Sequence, residues 1–143
     1  MDFGATYDGW HSDMTRTVCV GKPSDKMKSV YETVLNAQLS ALDAVKAGMS
    51  GKELDKIARD IITEAGYGDN FGHSLGHGVG VEIHESPYAS PSREDILPEN
   101  SIVTVEPGIY LEGKFGVRIE DFVVVTENGC INMTKAPKEL ICL

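Results

Sequence analysis

Three of the four histidines in the chain fall within 12 residues, in a segment that is also rich in glycine. His73, His77 and His84 lie in the run FGHSLGHGVGVEIHESP, residues 71–87. Neutral imidazole is a common metal ligand and the usual general acid or base near pH 7. His77 and His84 are an odd number of residues apart, so the three rings cannot share one side of a regular strand. We expect one histidine to bind metal and the others to contact substrate; the alternative is a glycine-rich turn with incidental histidines.

Two aspartates flank a predicted hairpin near the start of the chain. Asp8-Gly9 is a strong turn signal, and a turn there brings Asp2 and Asp13 alongside each other on one face, within about 5–8 Å. Two carboxylates at that distance repel and raise the pKa of one of them, which a bound cation would relieve. The alternative is a pair of solvated acids on an ordinary hairpin.

Two glutamates and an arginine occupy predicted strands further along. Glu106 ends the apolar run 102–105 and precedes a proline, and a carboxylate there is costly to bury unless it is paired or bound to metal. Arg118 and Glu120 are two residues apart, so they share one face of the predicted strand 117–126. For Arg118 and Glu120 an ordinary cross-strand salt bridge is the alternative.

Together these segments offer four carboxylates and one imidazole: Asp2, Asp13, His77, Glu106 and Glu120. This set holds more anionic donors than a single four-coordinate zinc uses. Carboxylates that bridge two divalent ions about 3.5–4 Å apart would accommodate it. The hard oxygen ligands favour manganese, and cobalt, zinc or iron also fit.

The elements that must position these groups form an α+β pattern. Apolar residues at helical spacing predict a helix over 25–46 that begins after Ser24. Ser50 and Glu53 form a capping box for a second helix, which Gly66 ends. The remaining predictions are strands at 3–6, 15–20, 102–105, 117–126 and 131–134, and a loop over 85–100.

Length and composition limit the protein to a few classes. A chain of 143 residues with 41% hydrophobic residues supports one domain with a real core. The net charge of −9 counts against a nucleic-acid partner. No apolar run approaches the roughly 20 residues of a membrane span, and the first residues do not resemble a secretory signal. Three cysteines without metal-type spacing indicate a reducing compartment, so we expect a cytoplasmic protein.

The chain resembles the catalytic domain of the pita-bread dinuclear metallopeptidases, most closely the Xaa-Pro branch of prolidase and aminopeptidase P. The resemblance rests on four stretches: DFGATYDGWHSDMTRT (2–17), HSLGHGVGVEIHESP (73–87), VTVEPGIY (103–110) and GVRIEDFVVVTENG (116–129). It implies the C-terminal half of the pita-bread fold, with a curved antiparallel sheet and two helices on one face.

The resemblance also implies a role for each member of the ligand set. Asp2 would chelate one of two divalent ions, and Asp13 and Glu120 would bridge both. His77 and Glu106 would complete the other ion, with Glu106 also placed to shuttle a proton.

Four further positions match catalytic or supporting residues of the family. His73 and His84 would contact the substrate around the scissile bond. Arg118 would orient the acidic ligands, and Tyr110 would help less directly. The implied reaction is hydrolysis of the bond before proline in a di- or oligopeptide, by a water that the two ions activate.

Several interpretations of the function remain open from the sequence. His73 four residues before His77, together with the run 12–17, favours the Xaa-Pro branch over methionine aminopeptidase. Dipeptidase and aminopeptidase are nearly even alternatives. Some pita-bread relatives are non-catalytic protein-binding modules, and retention of all five ligands argues against that class.

The position of Asp2 at the start of the chain leads to one more expectation. A metal ligand needs a rigid strand, whereas chain ends fray. We therefore expect residues 1–143 to be the C-terminal part of a catalytic domain, a truncated fragment of low or no activity that lacks the N-terminal half of the fold and any N-terminal domain. The face left bare should drive self-association.

Overall fold

Two helices follow the N-terminal hairpin in the computed structural model, which describes residues 1–143. Helix α1 spans Asp25–Ala44 and α2 spans Gly51–Glu64. The Ser50 side chain accepts a hydrogen bond from the Glu53 amide, and the Glu53 carboxylate accepts one from the Ser50 amide, so the predicted capping box is confirmed. A short 3-10 helix, Gly68–Asn70, follows α2. Neither helix combines the length and the apolar character needed to cross a membrane.

The strands are short and numerous. They are β1 Asp2–Phe3, β2 Thr6–Tyr7, β3 Trp10–His11, β4 Met14–Thr15, β5 Val18–Cys19, β6 Gly76–Gly78, β7 Glu85–Ala89, β8 Ile102–Val105, β9 Gly108–Leu111, β10 Phe115–Arg118, β11 Asp121–Thr126, β12 Gly129–Asn132 and β13 Ile141–Cys142. Five of them form an antiparallel sheet in the order β12-β11-β8-β6-β7. The α+β prediction is confirmed.

Side chains that alternate along β8 and β11 separate a core from a polar face. Val103, Val105, Val123 and Val125 are fully buried in the cluster formed with the apolar sides of α1 and α2. Thr104 lies between two of these valines and so points to the opposite face. That opposite face carries the polar groups described below.

The predicted N-terminal hairpin is confirmed, but it is broken into two ladders. Asp8 and Gly9 both have positive φ angles, 49° and 81°, as a tight two-residue hairpin turn requires. Pairs β1–β4 and β2–β3 flank an interruption at 4–5 and 12–13. The predicted strand 15–20 is wrong as a single element, because β5 leaves the hairpin and pairs in parallel with β13.

Other boundaries also differ from the predictions, and the strand expected at 131–134 is β12, Gly129–Asn132. The segment 85–100 is not a loop throughout, because β7 occupies its first five residues. Strand β7 lies at the edge of the sheet, where Pro87 removes no hydrogen bond that a central strand would need. The predicted strand 117–126 is two strands, β10 and β11, interrupted at Ile119 and at Glu120, which forms an isolated bridge with Thr15.

Candidate metal centre

Three side chains from distant parts of the chain converge on the polar face of the sheet. Asp13 follows β3, His77 is the middle residue of β6, and Glu120 precedes β11. One donor atom from each lies within 4.8 Å of the other two. His77 Nε2 is 3.8 Å from Asp13 Oδ2. These residues therefore form a compact cluster of two carboxylates and one imidazole.

Glu106 joins this cluster through His77. Its Oε1 atom lies 3.1 Å from His77 Nε2 and accepts a hydrogen bond of 2.9 Å from the Thr104 hydroxyl. The Thr104 hydroxyl also accepts a hydrogen bond from the His77 amide. Strands β6 and β8 approach closely here, since a Cβ atom at Gly76 would lie 2.0 Å from the Thr104 carbonyl oxygen. A glycine at this position is thus needed to bring His77 beside Glu106.

The His77 ring is oriented so that its Nε2 atom faces the carboxylates. Its Nδ1 atom lies 3.0 Å from the Gly78 carbonyl oxygen, which can only accept a hydrogen bond. A proton on Nδ1 leaves Nε2 free to act as a ligand, which is the usual arrangement of metal-binding histidines.

Asp2 lies at the exposed edge of the same site. Its side chain is 57% exposed, and its Oδ2 atom accepts a hydrogen bond of 2.5 Å from Arg118 Nη2. Arg118 Nε also donates to the Thr15 hydroxyl, which in turn donates to Glu120 Oε2 at 2.6 Å. Arg118 therefore connects the Asp2 carboxylate to that of Glu120 through the Thr15 hydroxyl.

Burial and mutual repulsion of the carboxylates raise the pKa values of acidic groups in the site. Burial, with Glu106 nearby, raises the pKa of Glu120 from 4.5 to about 8. Burial also raises the pKa of Asp13, helped by Asp2 and Glu106. For His77, burial alone would lower the pKa, but hydrogen bonding to Glu106 and to the Gly78 carbonyl raises it above its usual value. Protons thus compensate in part for negative charge that a bound cation would neutralise.

The chemistry of the donor set fits divalent metal ions. Asp13, Glu106 and Glu120 supply hard oxygen donors, and His77 supplies its Nε2 atom, which faces them because Nδ1 contacts the Gly78 carbonyl. Two carboxylates that each offer two oxygens can bridge a pair of ions. The raised pKa of Glu120 is the response expected of a carboxylate cluster without a cation.

A cavity of about 390 Å³ opens beside the cluster. It is lined by Asp2, His73, Ser74, Gly76, His77, His84, Tyr88, Glu106 and Arg118. The His84 ring is exposed and lies 4.1 Å from the His77 ring, measured between centroids. His73 Nε2 is 2.8 Å from the Tyr110 hydroxyl, which accepts a hydrogen bond from Arg118. Of the predicted site residues, Asp2, His73, His77, His84, Glu106 and Arg118 line this cavity. Asp13 and Glu120 do not line it and are linked to it through His77.

Sequence reasoning missed two hydroxyl groups that hold the carboxylates. Thr15 contacts Glu120 and Thr104 contacts Glu106, as described above. Each threonine lies two residues from a predicted ligand, Thr15 from Asp13 and Thr104 from Glu106. That spacing places it on the ligand's side of an extended segment and was the available signal.

Comparisons with known proteins agree on one family. Residues 1–127 match metallopeptidase family M24. A Xaa-Pro dipeptidase of Pyrococcus furiosus is 55% identical over 141 residues, 99% of this chain and 40% of that protein. Among solved structures, a Xaa-Pro dipeptidase from Bacillus anthracis superposes with a TM-score of 0.98 at 55% identity, over 99% of this chain and 40% of that chain. An X-Pro aminopeptidase from Thermotoga maritima gives a TM-score of 0.96 at 54% identity with the same coverage.

Proposed function

Because the chain belongs to metallopeptidase family M24, we propose that its metal centre serves a Xaa-Pro peptidase, which cleaves the peptide bond before proline. The α+β structure has the pita-bread fold of its prolidase neighbours. The chain spans about 40% of the length of these relatives. The substrate, the activity and the partners are therefore proposed for this site by similarity to longer proteins.

One observation carries the proposal. Asp13, His77 and Glu120 come from three separate segments, yet their donor atoms lie within 4.8 Å of one another, and His77 also lines the cavity. A salt-bridge network would place lysine or arginine among these atoms. Arg118 instead pairs with Asp2 and, at 3.9 Å, with Glu106, and donates to Thr15, so that it leaves the space between the three donors to a cation.

We assign the metal ligands as Asp2, Asp13, His77, Glu106 and Glu120, for two divalent ions, with manganese as the preferred metal. Bound ions of this kind act as Lewis acids and lower the pKa of water. The Glu106 carboxylate, half-buried at the cavity, is placed to accept a proton and return it to the leaving amine.

The remaining residues of the cavity bind and orient the peptide. The exposed His84 and the half-buried His73 line the cavity and contact the peptide around the scissile carbonyl, where negative charge develops. His73 would exchange its Nε2 contact with the Tyr110 hydroxyl for the substrate, since its Nδ1 atom faces the Ser74 carbonyl. Arg118 holds Asp2 and, through Thr15, Glu120 in position. The exposed Tyr110 hydroxyl links Arg118 to His73.

The named relatives include both a dipeptidase and an aminopeptidase, so the length of the substrate is a separate question. We propose a proline-containing di- or oligopeptide as substrate and the cytoplasm as the compartment.

Methionine aminopeptidase chemistry on the same ligands is the second candidate, and a Met-Xaa peptide in the assay distinguishes it. A non-catalytic protein-binding role would leave metal binding unnecessary.

The test combines metal binding with hydrolysis. Mn²⁺ is titrated into the metal-free chain by calorimetry, while proline release is followed from a Xaa-Pro dipeptide and cleavage is followed in a longer peptide with the same first two residues. We expect two ions to bind. Because the chain is 40% of its relatives' length, we expect turnover to be slower than that of a full-length relative.

Variants of two ligands make the test specific. His77→Ala and Glu106→Ala should each abolish turnover and weaken Mn²⁺ binding at least tenfold, with an unchanged circular dichroism spectrum. His11→Ala, which removes a histidine of the hairpin outside the cluster, is the matched control and should bind Mn²⁺ like the unsubstituted chain. Wild-type binding in the His77 variant, or an unsubstituted chain that binds no Mn²⁺, would contradict the proposal.

A further inference from the structure

Arg16 is a buried cation that the ligand set does not include. It is 6% exposed, directly follows Thr15, and lies three residues after Asp13. Its guanidinium group has five N–H donors in a rigid plane, and each of them has an acceptor. An arginine this completely paired inside a small domain fixes the positions of the groups that it contacts.

The five hydrogen bonds of Arg16 reach three segments of the chain. Nη1 donates to the carbonyl oxygens of Thr15, at 2.9 Å, and Glu120, at 2.6 Å. Nη2 donates to Asp121 Oδ1 at 2.7 Å and to the Ala136 carbonyl at 2.8 Å. Nε donates to the Pro137 carbonyl at 2.8 Å. One side chain thus ties the strand after Asp13 to the residue Glu120 and to the C-terminal segment 136–137.

Arg16 contacts the main chain of Glu120 and not its carboxylate. Glu120 directs its carboxylate to the Thr15 hydroxyl, while its carbonyl accepts from Arg16 and its amide donates to the Thr15 carbonyl at 3.1 Å. The next residue, Asp121, is fully buried and also accepts from Lys138 and Asn132. These donors hold the pKa of Asp121 below its usual value, although burial opposes them. The backbone at Glu120 is therefore fixed on both sides.

We propose that Arg16 is a positioning residue for the metal centre, which sets the separation of the Asp13 and Glu120 carboxylates by holding the main chain of Glu120 against Thr15, two residues after Asp13. The inference rests on the proposed function, because it assumes that these two carboxylates bind the ions. Lysine cannot replace Arg16 here, since one ammonium group offers three donors from a single point and cannot span three segments.

The test compares one variant at each of the two cationic partners of Asp121. Arg16→Lys keeps the charge but loses the planar set of donors. Lys138→Met, the matched control, removes an ion pair of 2.6 Å with the same carboxylate but makes no contact with Thr15 or Glu120. For each full 143-residue chain we measure unfolding without metal, the Mn²⁺ affinity by calorimetry, and the visible absorption spectrum with Co²⁺ bound.

We expect Arg16→Lys to lower the Mn²⁺ affinity at least tenfold and to change the Co²⁺ spectrum at saturation. Lys138→Met should keep the Mn²⁺ affinity within about twofold and leave the spectrum unchanged, even if it lowers the midpoint of unfolding as much as Arg16→Lys does. A purely structural role of Arg16 would alter stability alone, because the Co²⁺ spectrum reports the geometry of the ligands.

Unchanged affinity and spectrum in folded Arg16→Lys would overturn the inference while leaving the proposed function intact. An unsubstituted chain that binds no Mn²⁺ would overturn both. If Arg16→Lys does not fold, Arg16→Gln replaces it with a neutral side chain. Failure of both to fold while Lys138→Met folds would also overturn the inference, since Arg16 would then be required for the fold as a whole.

Discussion

Glu120 has the most perturbed carboxyl group of the candidate site. It is 1% exposed, and its pKa is raised to about 8 by burial and by the nearby Glu106. In an unfolded chain the same group has its ordinary pKa of 4.5. Between these two values the folded chain holds a proton that the unfolded chain has lost. Folding and protonation are therefore linked at this residue.

The sign of this linkage gives a pH prediction for the metal-free chain. Because the folded state binds the extra proton, the free energy of unfolding should fall as the pH rises from about 5 to about 8. The raised pKa values of Asp13 and His77 act in the same direction. Asp121, whose pKa is lowered, affects stability only at more acid pH. Urea unfolding in the presence of a chelator, at pH 5, 6.5 and 8, measures the trend.

Glu120→Gln is the variant that isolates this group. It keeps the size of the side chain and an acceptor for Thr15, but it carries no charge. Without metal it should be more stable than the unsubstituted chain at pH 8 and similar to it at pH 5. The same pH dependence in the variant and the parent would contradict a raised pKa at Glu120.

At the residue scale, the sequence predicted the chemical groups of the site better than it predicted the residues whose hydrogen bonds hold those groups in place. Histidine, aspartate and glutamate carry the chemistry in their side chains, so Asp13 and His77 could be selected by type and position. Thr15 and Arg16 act through hydrogen bonds to a residue far away in sequence, Glu120. Nothing in their local pattern predicts that partner.

Helices α1 and α2 were predictable because their signals are local. The side chain of Ser24 and the capping box of Ser50 and Glu53 lie next to the residues that they cap, and apolar periodicity marks the buried sides. The strands around the site were less predictable. Strand β13 pairs with β5 across more than 120 residues, and the interruption before β11 depends on the bridge between Thr15 and Glu120. Such pairings are not encoded in a local pattern.

The capping box leads to a prediction at the scale of one element. Ser50→Ala removes the acceptor of the Glu53 amide and should lower the free energy of unfolding by about 1 kcal/mol. Ser29→Ala, at an exposed position inside α1, is the matched control and should change stability by less than about 0.5 kcal/mol. Mn²⁺ affinity should be the same in both variants, because α2 carries no proposed ligand. Equal stability of the two variants would contradict the role of the cap.

At the scale of the whole molecule, apolar side chains remain exposed around the terminal strands. Met1 is 65% exposed, Phe3 56% and Ile141 43%. A shallow cavity of about 180 Å³ between them is lined by Met1, Phe3, Met14, Val18, Tyr31 and Ile141, among others. Exposed apolar surface of this kind favours association. We propose that this surface mediates self-association of the chain.

Sedimentation velocity over a range of protein concentrations tests the association. We expect the average sedimentation coefficient to rise with concentration for the unsubstituted chain and to rise less for Phe3→Ser. Ile131→Ser is the matched control, because Ile131 is also 56% exposed but lies on β12. A monomer at all concentrations, or an equal effect of both variants, would contradict a role for the terminal strands.

The central claim is that side chains from distant segments form one site for divalent ions. Anomalous diffraction from crystals of this chain soaked in Mn²⁺ tests it most directly, because the peaks locate the ions without reference to activity. We predict two peaks in contact with the Asp13 and Glu120 carboxylates, one of them bound by His77. Crystals that show no peak at these residues, or Mn²⁺ bound only elsewhere on the acidic surface, would contradict the account.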